Sequence, residues 1–317
     1  MSALLDVIRA ETFKVLRKRR LYVLAALYWV LLPALVLIVA RVVHVNLAGS
    51  FANDGGTVDQ GLQFFASPIG IARLALSAPA FTSPTLYIVA VTLLAALLIG
   101  DERSQNMWKT VLVVQPKRWA VLAGKIVVTM GALAALMLGA AVFGFLFGAV
   151  GTTFLPTDFS GAWPPLAGLY LLQLAQLLAP VLLAFLLITL VRSGVLGVVM
   201  VLFLPSLIET LYTVLNTIAQ LQPLNRINAI FQALRIQNTW QALPKYFFTS
   251  NLYNPGRQAS GELLGQIGVS GELSGSGPFA TLLGTGMTLG HSALVMAGYA
   301  VLFGAILFWW FLSRDFD

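Results

Sequence analysis

Residues 100–125 read GDERSQNMWKTVLVVQPKRWAVLAGK, and this polar stretch, which we call the island, decides the fold. Its seven charged residues are Asp101, Glu102, Arg103, Lys109, Lys117, Arg118 and Lys125. Almost wholly apolar residues precede it at 87–99 and follow it at 126–150. A charged segment between two apolar segments of membrane-spanning length predicts a solvated loop between two transmembrane helices.

The island itself has the pattern of a short amphipathic helix. Asp101 is predicted to cap its start, because a carboxylate can accept the free N–H groups of a first helical turn. Met107 and Trp108 would share one side with apolar residues one turn later, and Pro116 would end the helix. Two interpretations remain open: a helix outside the bilayer that docks on a partner, or an ordinary solvated loop.

The composition supports a helical integral membrane protein. Of the 317 residues, 58% are hydrophobic and 10% are charged, and the mean hydropathy is +0.86. Soluble domains carry about 25% charged residues. The apolar segments are too long for barrel strands. With no cysteine, disulfides and thiolate metal sites are excluded. The net charge of +7 does not indicate nucleic acid, because the basic residues cluster at the ends of apolar segments.

The first 20 residues predict an amphipathic helix that lies in the lipid headgroup layer. They contain six of the 19 Lys and Arg residues. Leu4, Leu5, Ile8, Val15 and Leu16 recur at near-helical spacing, so the basic side would face anionic lipid. A signal peptide is the rival interpretation, and its apolar core needs only about 7–15 residues. Residues 21–40 are long enough to span, which favours a first transmembrane helix.

We predict a single all-α transmembrane domain over residues 1–317 with six spans, at about 21–43, 84–100, 121–150, 165–191, 195–216 and 291–312. Residues 101–120 are expected to form the loop between the second and third spans, and residues 62–81 are expected to form one or two short interfacial helices broken at Pro68 and Pro79. Gly144 and Gly148 either permit close helix contact or are generic membrane-helix glycines.

A large segment at 217–290 precedes the last span. Residues 228–240 could form an amphipathic helix, and Pro244 and Pro255 bracket a piece predicted to be turn-rich. The whole segment could cover an exit, dock an extracytoplasmic partner, or seat its aromatic residues at the lipid interface.

The distribution of basic residues sets the orientation. With the N-terminus in the cytoplasm, the inner side holds thirteen Lys and Arg residues and the outer side six, spread over longer segments. The positive-inside rule therefore predicts both termini in the cytoplasm. Residues 217–290 would then be extracytoplasmic.

The chain lacks the patterns of an enzyme. Gly124-Lys125 is not a nucleotide-binding loop, because Trp119 stands where the motif needs its first glycine. The only two histidines, His44 and His291, flank different spans. We expect no catalytic residue, no metal site and no cofactor bound by this chain.

Glu209, Gln173 and Gln176 are polar residues of the predicted spans that could have a function. Glu209 is a functional candidate because a buried ionisable group is costly, although it could be hydrated near the outer interface. Gln173 and Gln176 lie one turn apart. They could line a transport pathway or bond to a neighbouring helix, and the second interpretation is favoured.

The island resembles the first cytoplasmic loop of ABC-2 type export permeases. In those proteins a Gly-Glu pair, a polar stretch, a lysine, an apolar run, a proline, a basic residue and a Gly-Lys pair follow one another. The matching positions here are Gly100, Glu102, Lys109, residues 111–114, Pro116, Arg118, Gly124 and Lys125. Asp101 is inserted between the first glycine and the glutamate.

Both ends of the chain extend this resemblance. Residues 9–20 look like the family's basic amphipathic opening, and Phe311, Arg314 and Asp315 resemble its closing aromatic-x-x-Arg-Asp. The subgroup that it resembles contains bacitracin- and lantibiotic-resistance, nitrous-oxide-reductase-maturation and gliding-motility permeases. The long segment 217–290 departs from shorter members.

The resemblance implies an ATP-driven exporter of the prokaryotic inner membrane. Two copies of the permease would form a homodimer, and each would contact a separate ATPase subunit that holds ATP and Mg. The helix at about 101–113 would be the coupling helix, with a smaller second contact at residues 192–194. The coupling residues would be Asp101, Glu102, Arg103, Met107, Trp108, Lys109, Pro116, Arg118 and Arg192.

Few charges lie in the spans, which favours an amphipathic peptide, a drug or a lipid-like molecule as cargo. A membrane-embedded enzyme, a passive channel, and a scaffold that anchors an ATPase without bulk transport are the competing functions. The island would look the same in a scaffold.

Overall fold

The structure is a computed structural model. It describes residues 2–47, 66–77, 85–104, 117–155, 157–159, 161–191, 194–220, 237–266 and 287–313.

The described residues form helices and short turns, with no strand among them. The helices are α1 (Ser2–Arg17), α2 (19–47), α3 (Pro68–Ser77), α4 (86–104), α5 (Arg118–Gly151), α6 (Trp163–Gln176), α7 (Leu178–Val191), α8 (Gly194–Gln220), α9 (Gln237–Ala242), α10 (Phe248–Gln266) and α11 (Leu289–Ser313). A short 3₁₀ turn, Leu243–Tyr246, joins α9 to α10.

Five helical segments within the described residues are long and apolar enough to cross a membrane. They are Arg19–Val42, Arg118–Gly151, Trp163–Val191, Val195–Ile218 and Leu289–Ser313. The predicted span at 84–100 corresponds to a shorter apolar helix, Leu86–Gly100. The all-helical membrane class is therefore confirmed.

The two ends of the island differ from the prediction. Helix α5 begins at Arg118, three residues before the predicted span at 121–150, so the last part of the island, which includes Lys125, is helical. Asp101 does not start a separate helix, because residues 101–104 continue α4 after a π-helical turn at Ala96–Gly100. Residues 105–116, which contain most of the predicted coupling helix, lie outside the described residues.

Helix α3 is buried and not interfacial, contrary to the prediction for residues 62–81. It begins at Pro68 and is not broken there, because Ser67 Oγ accepts the N–H of Gly70 and caps its first turn. A Cβ added at Gly148 would lie 2.4 Å from Pro68 Cα, and one added at Gly144 would lie 2.8 Å from Ala72 Cα. The close helix contact at this glycine pair is confirmed, with α3 as the partner.

Helix α10 occupies the piece that was predicted to be turn-rich, and that prediction was wrong. Pro255 lies inside the helix. The helix packs against α3, α6 and α11, and buries Leu252, Tyr253 and Ala259. Tertiary packing therefore outweighs the local cost of proline. Of the predicted helix at 228–240, the structure describes only its last residues, in α9.

Two prolines accompany irregular turns in the long helices. In α2 a π-helical turn, Leu27–Leu31, ends two residues before Pro33. The span at 163–191 is divided at Leu177, three residues before Pro180. A proline has no N–H to donate, so the helix loses a hydrogen bond one turn earlier and rearranges there.

The core lies at the centre of the bundle. Helix α7 is almost entirely buried there, and it packs against α4, α8 and α11. Contacts at one end of the bundle join α1 to the start of α5, and contacts at the other end join α10 to α3, α8 and α11.

Candidate functional site: a buried charge cluster at the base of the island

Lys125 is the centre of a buried charge cluster that brings the two ends of the island together. Its ammonium lies 2.8 Å from Glu11 Oε1 and donates 2.9 Å to the carbonyl of Leu98. It also lies 2.9 Å from Glu102 Oε2, as an ionic contact. The exposed fractions of Lys125, Glu11 and Glu102 are 0%, 3% and 6%. The Glu102–Lys125 pair thus joins the start of the island to its end, and we call this junction the base of the island.

Lys14 of α1 and Lys18, which directly follows α1, attach this helix to the start of the island. Lys14 donates 3.1 Å to Glu11 Oε1 and also bonds to Glu102 Oε1. Lys18 donates 2.7 Å to Asp101 Oδ2. Burial opposes the charge of Lys14, but the hydrogen bond to Glu102 and the attraction of both glutamates outweigh it, so the pKa of Lys14 is raised.

The balance of charges explains why the cluster can be buried. Glu11 and Glu102 face Lys14 and Lys125, so two carboxylates meet two ammonium groups. Removing a charge from water is expensive unless a partner and hydrogen bonds replace the water. Removing one member would leave an uncompensated charge, which typically costs about 3–5 kcal/mol. The cluster therefore holds α1, α4 and α5 in one arrangement.

Local sequence places α1 on this site. Leu4, Val7, Glu11 and Val15 follow at helical spacing, so they share the face of α1 that packs on α5. Gly124 permits the approach, because an added Cβ would lie 2.6 Å from Val7 Cγ1. The Gly-Lys pair of the island therefore acts as one unit: the glycine admits α1 and the lysine binds it.

Sequence analysis missed Glu11, Lys14 and Lys18 as members of the site. The signal was a single glutamate on the apolar side of an otherwise basic helix. The spacing of the apolar residues predicted that they lie together on one side of an amphipathic helix in the headgroup layer. In the structure Ile8 and Val15 face the protein, while Leu5 and Leu16 are exposed.

The predicted coupling residues are only partly described. Asp101 and Glu102 belong to the cluster and its edge, and Arg118 is half-buried at the start of α5. The side chain of Arg103 and the residues Met107, Trp108, Lys109, Pro116 and Arg192 lie outside the described residues. Their contact with an ATPase stays a prediction.

Glu209 holds the first turn of α10. Its Oε1 accepts the N–H of Thr249 at 2.6 Å, and its Oε2 accepts the hydroxyl of Ser250 at 3.2 Å. A carboxylate at a helix N-terminus pairs with free N–H groups and with the positive end of the helix dipole. This half-buried side chain therefore ties span α8 to the segment that precedes α11.

Gln173 and Gln176 have different surroundings although both are buried. The hydroxyl of Tyr87 lies 3.3 Å from Gln173 Oε1, which fits the predicted bond to a neighbouring helix. Within the described part of the chain, neither amide atom of Gln176 has a hydrogen-bond partner. A role for either residue in a transport pathway stays a prediction.

The charge cluster joins three helices, α1, α4 and α5, to one another. Each carboxylate is paired with lysine, and within the described residues no group of His, Cys, Asp and Glu side chains could hold a metal ion. The cluster fixes the position of α1 relative to both ends of the island, so a movement of the island would be passed to α1, α4 and α5.

One family comparison matches most of the chain. The family described as ABC-2 family transporter protein matches residues 7–208. This range contains the charge cluster and the island. A comparison with curated proteins and one with solved structures each gave no match.

Proposed function

Because the chain belongs to the ABC-2 transporter family, a multi-pass membrane family whose members are permease components of ABC transporters, we propose that it is the permease subunit of an ATP-driven exporter. The family implies an ABC ATPase as partner. Export as the direction, and an amphipathic peptide, drug or lipid-like cargo, are the further parts of the proposal. The small number of charges in the spans supports that cargo class.

We propose a topology of six spans in the inner membrane of a prokaryote, with both termini in the cytoplasm. Helix α4 would be the second span, although it is shorter than the others. Its first turn lies beside the end of α3, and its last turns lie beside Lys125. The basic residues of α1 and the island would then face the cytoplasm, as the positive-inside rule favours.

The observation that carries the coupling proposal is the burial of Lys125 between Glu11 and Glu102. An ATPase that moved the island would act on a base already fixed to α1, α4 and α5. Trp108 and Lys109 would supply the contact, because aromatic residues anchor protein interfaces and charges steer them. Two such permeases, as a homodimer, would bind two ATPase subunits.

The test is co-purification of the tagged chain with an ABC ATPase subunit from the same cells. Arg103→Glu combined with Lys109→Glu should remove most of the bound ATPase. Arg226→Glu combined with Arg235→Glu makes the same charge change in the segment proposed to be outside, and should leave binding unchanged. Equal binding by both double variants would contradict the docking role of the island.

A scaffold that anchors an ATPase without bulk transport is the alternative function. Both functions predict co-purification, so transport has to be measured in liposomes that contain both subunits. ATP-dependent movement of a fluorescent amphipathic peptide would support the exporter. ATP hydrolysis that is unaffected by any cargo and moves none would favour the scaffold.

A further inference from the structure

Helices α3 and α4 pack along successive parts of α5, so the two together extend over the length of that one helix. Pro68 lies against Gly148, Ala72 lies against Gly144, and the carbonyl of Leu98 binds Lys125. From residue 125 to residue 148 a helix rises about 35 Å, which is close to the thickness of a bilayer core. Helix α3 packs along one half of this length of α5, and α4 packs along the other half.

The end of α3 therefore lies inside the bundle, where its last carbonyls need donors. Two tyrosines supply them. Tyr28 Oη donates 3.3 Å to the carbonyl of Ala75, and Tyr87 Oη bonds to the carbonyl of Leu76. The two rings meet edge to face with centroids 6.1 Å apart. A buried group of polar atoms is thus formed where the two helices meet.

This group of polar atoms contains fewer hydrogen-bond donors than acceptors. Tyr87 has one hydroxyl proton, yet its oxygen contacts both the Leu76 carbonyl and Gln173 Oε1. When that proton is given to Leu76, Gln173 Oε1 receives no hydrogen bond from Tyr87. Gln173 is itself buried, so the missing bond is not replaced by bulk water.

Gln176 extends the group by one helical turn. It is 3% exposed, and its Nε2 and Oε1 have no hydrogen-bond partner among the residues that the structure describes. Its main-chain carbonyl also lacks its regular helical donor, because residue 180 is a proline. Leaving a buried polar group without a hydrogen bond is costly, so such a group calls for a ligand or a bound water.

We propose that Tyr28, Tyr87, Gln173 and Gln176 form a binding site for an uncharged amide group of the transported molecule. The free carboxamide of Gln176 offers both N–H donors and a carbonyl acceptor, which complement the carbonyl and N–H of another amide. The polar contacts that the structure gives these four residues are with hydroxyl, carbonyl and amide groups, so the site favours a neutral group over a charged one. This inference rests on the proposed function, because it names a part of the cargo.

The experiment uses a photoreactive amide and its ester. 3-(4-Benzoylphenyl)propanamide and methyl 3-(4-benzoylphenyl)propanoate differ only in the terminal group, and the ester carries no N–H. The purified full-length chain in nanodiscs is irradiated with each, and labelled peptides are identified by mass spectrometry. We expect labelling around Tyr28 and Tyr87, with the amide about fivefold to tenfold more efficient than the ester, because the ester lacks the donor.

Gln176→Met should reduce amide labelling to the level of the ester, because methionine keeps the length of the side chain and removes both polar atoms. Gln258→Met is the matched control, since Gln258 lies on α10 and bonds to the carbonyl of Met287. It should leave labelling at Tyr28 and Tyr87 unchanged.

Equal labelling by amide and ester would show that a water molecule satisfies Gln176, and would overturn the proposal. Labelling elsewhere in the chain would overturn it as well. The amide–ester comparison is made on the native chain, so it does not depend on the folding of a variant. It also needs no ATPase, so its failure is distinguishable from a failure of the co-purification test.

Discussion

Lys125 and Glu11 are 114 residues apart in the chain, yet their ammonium and carboxylate groups are 2.8 Å apart and both are buried. This contact fixes the first helix of the chain to a span that begins at the end of the island. It gives the Gly124-Lys125 pair a physical role that its resemblance to other permeases leaves open.

Lys125→Met should destabilise the chain by about 3–5 kcal/mol, because it leaves Glu11 and Glu102 buried without the cation between them. Thermal unfolding in detergent measures the change. Lys117→Met removes a lysine that is exposed at the start of α5, and should change stability by less than about 0.5 kcal/mol. Equal effects of the two substitutions would mean that the buried cation is not needed for stability.

The attachment of α1 should weaken at alkaline pH. The pKa of Lys14 is raised in the folded chain, so the stability that it contributes is complete below the unfolded lysine pKa of about 10.4 and is lost as pH rises through the higher folded pKa. Hydrogen exchange of α1 measured between pH 9 and 12, with correction for the intrinsic rate, follows this loss.

Lys14→Arg is the matched control for this titration, because a guanidinium stays charged over the same range. The alkaline loss should be smaller in that variant. If the native chain and Lys14→Arg lose protection of α1 in parallel, another group is responsible for it.

Glu209→Ala should loosen the first turn of α10 by about 1–2 kcal/mol, because Thr249 and Ser250 lose the carboxylate that caps them. Faster hydrogen exchange at residues 249–252 would report the change. Glu262→Ala is the control carboxylate, since its exposed pair with Arg73 should contribute less than about 1 kcal/mol. Unchanged hydrogen exchange at these residues in Glu209→Ala would contradict the capping role of Glu209.

Gly148→Ala should disturb the contact between α3 and α5. The added Cβ would lie 2.4 Å from Pro68 Cα, so backbone has to move. We expect a destabilisation of about 1–3 kcal/mol, the usual range for overpacking. Gly131 lies on the same helix, and a Cβ added there would have no described neighbour within 4 Å. Gly131→Ala should therefore be neutral or stabilising in the same thermal unfolding assay. A neutral Gly148→Ala would show that α3 is not held closely there.

The predictions from sequence were most accurate where a property depends on neighbours in the chain. The helical membrane class and the long apolar helices follow from local hydropathy, which acts over about 20 consecutive residues. The prediction failed at α10, where Pro255 and its polar neighbours indicate turns but packing against α3, α6 and α11 maintains a helix.

The charge cluster also has features that follow from neighbouring residues and features that only tertiary packing establishes. Glu102 and Lys125 were visible as ends of the island, but their burial was not, because a charge in a polar stretch is normally solvated. Glu11 and Lys14 were not candidates, since their partners lie 88 to 114 residues away in the chain.

The sequence by itself determined that this chain is a helical membrane protein with a charged island between two apolar segments, because hydropathy is a property of consecutive residues. The tertiary structure alone decided that Lys125 is paired with Glu11, that α3 lies inside the bundle and that Glu209 caps α10. Those outcomes depend on which distant groups become buried together, and burial determines whether a charge needs a protein partner or water.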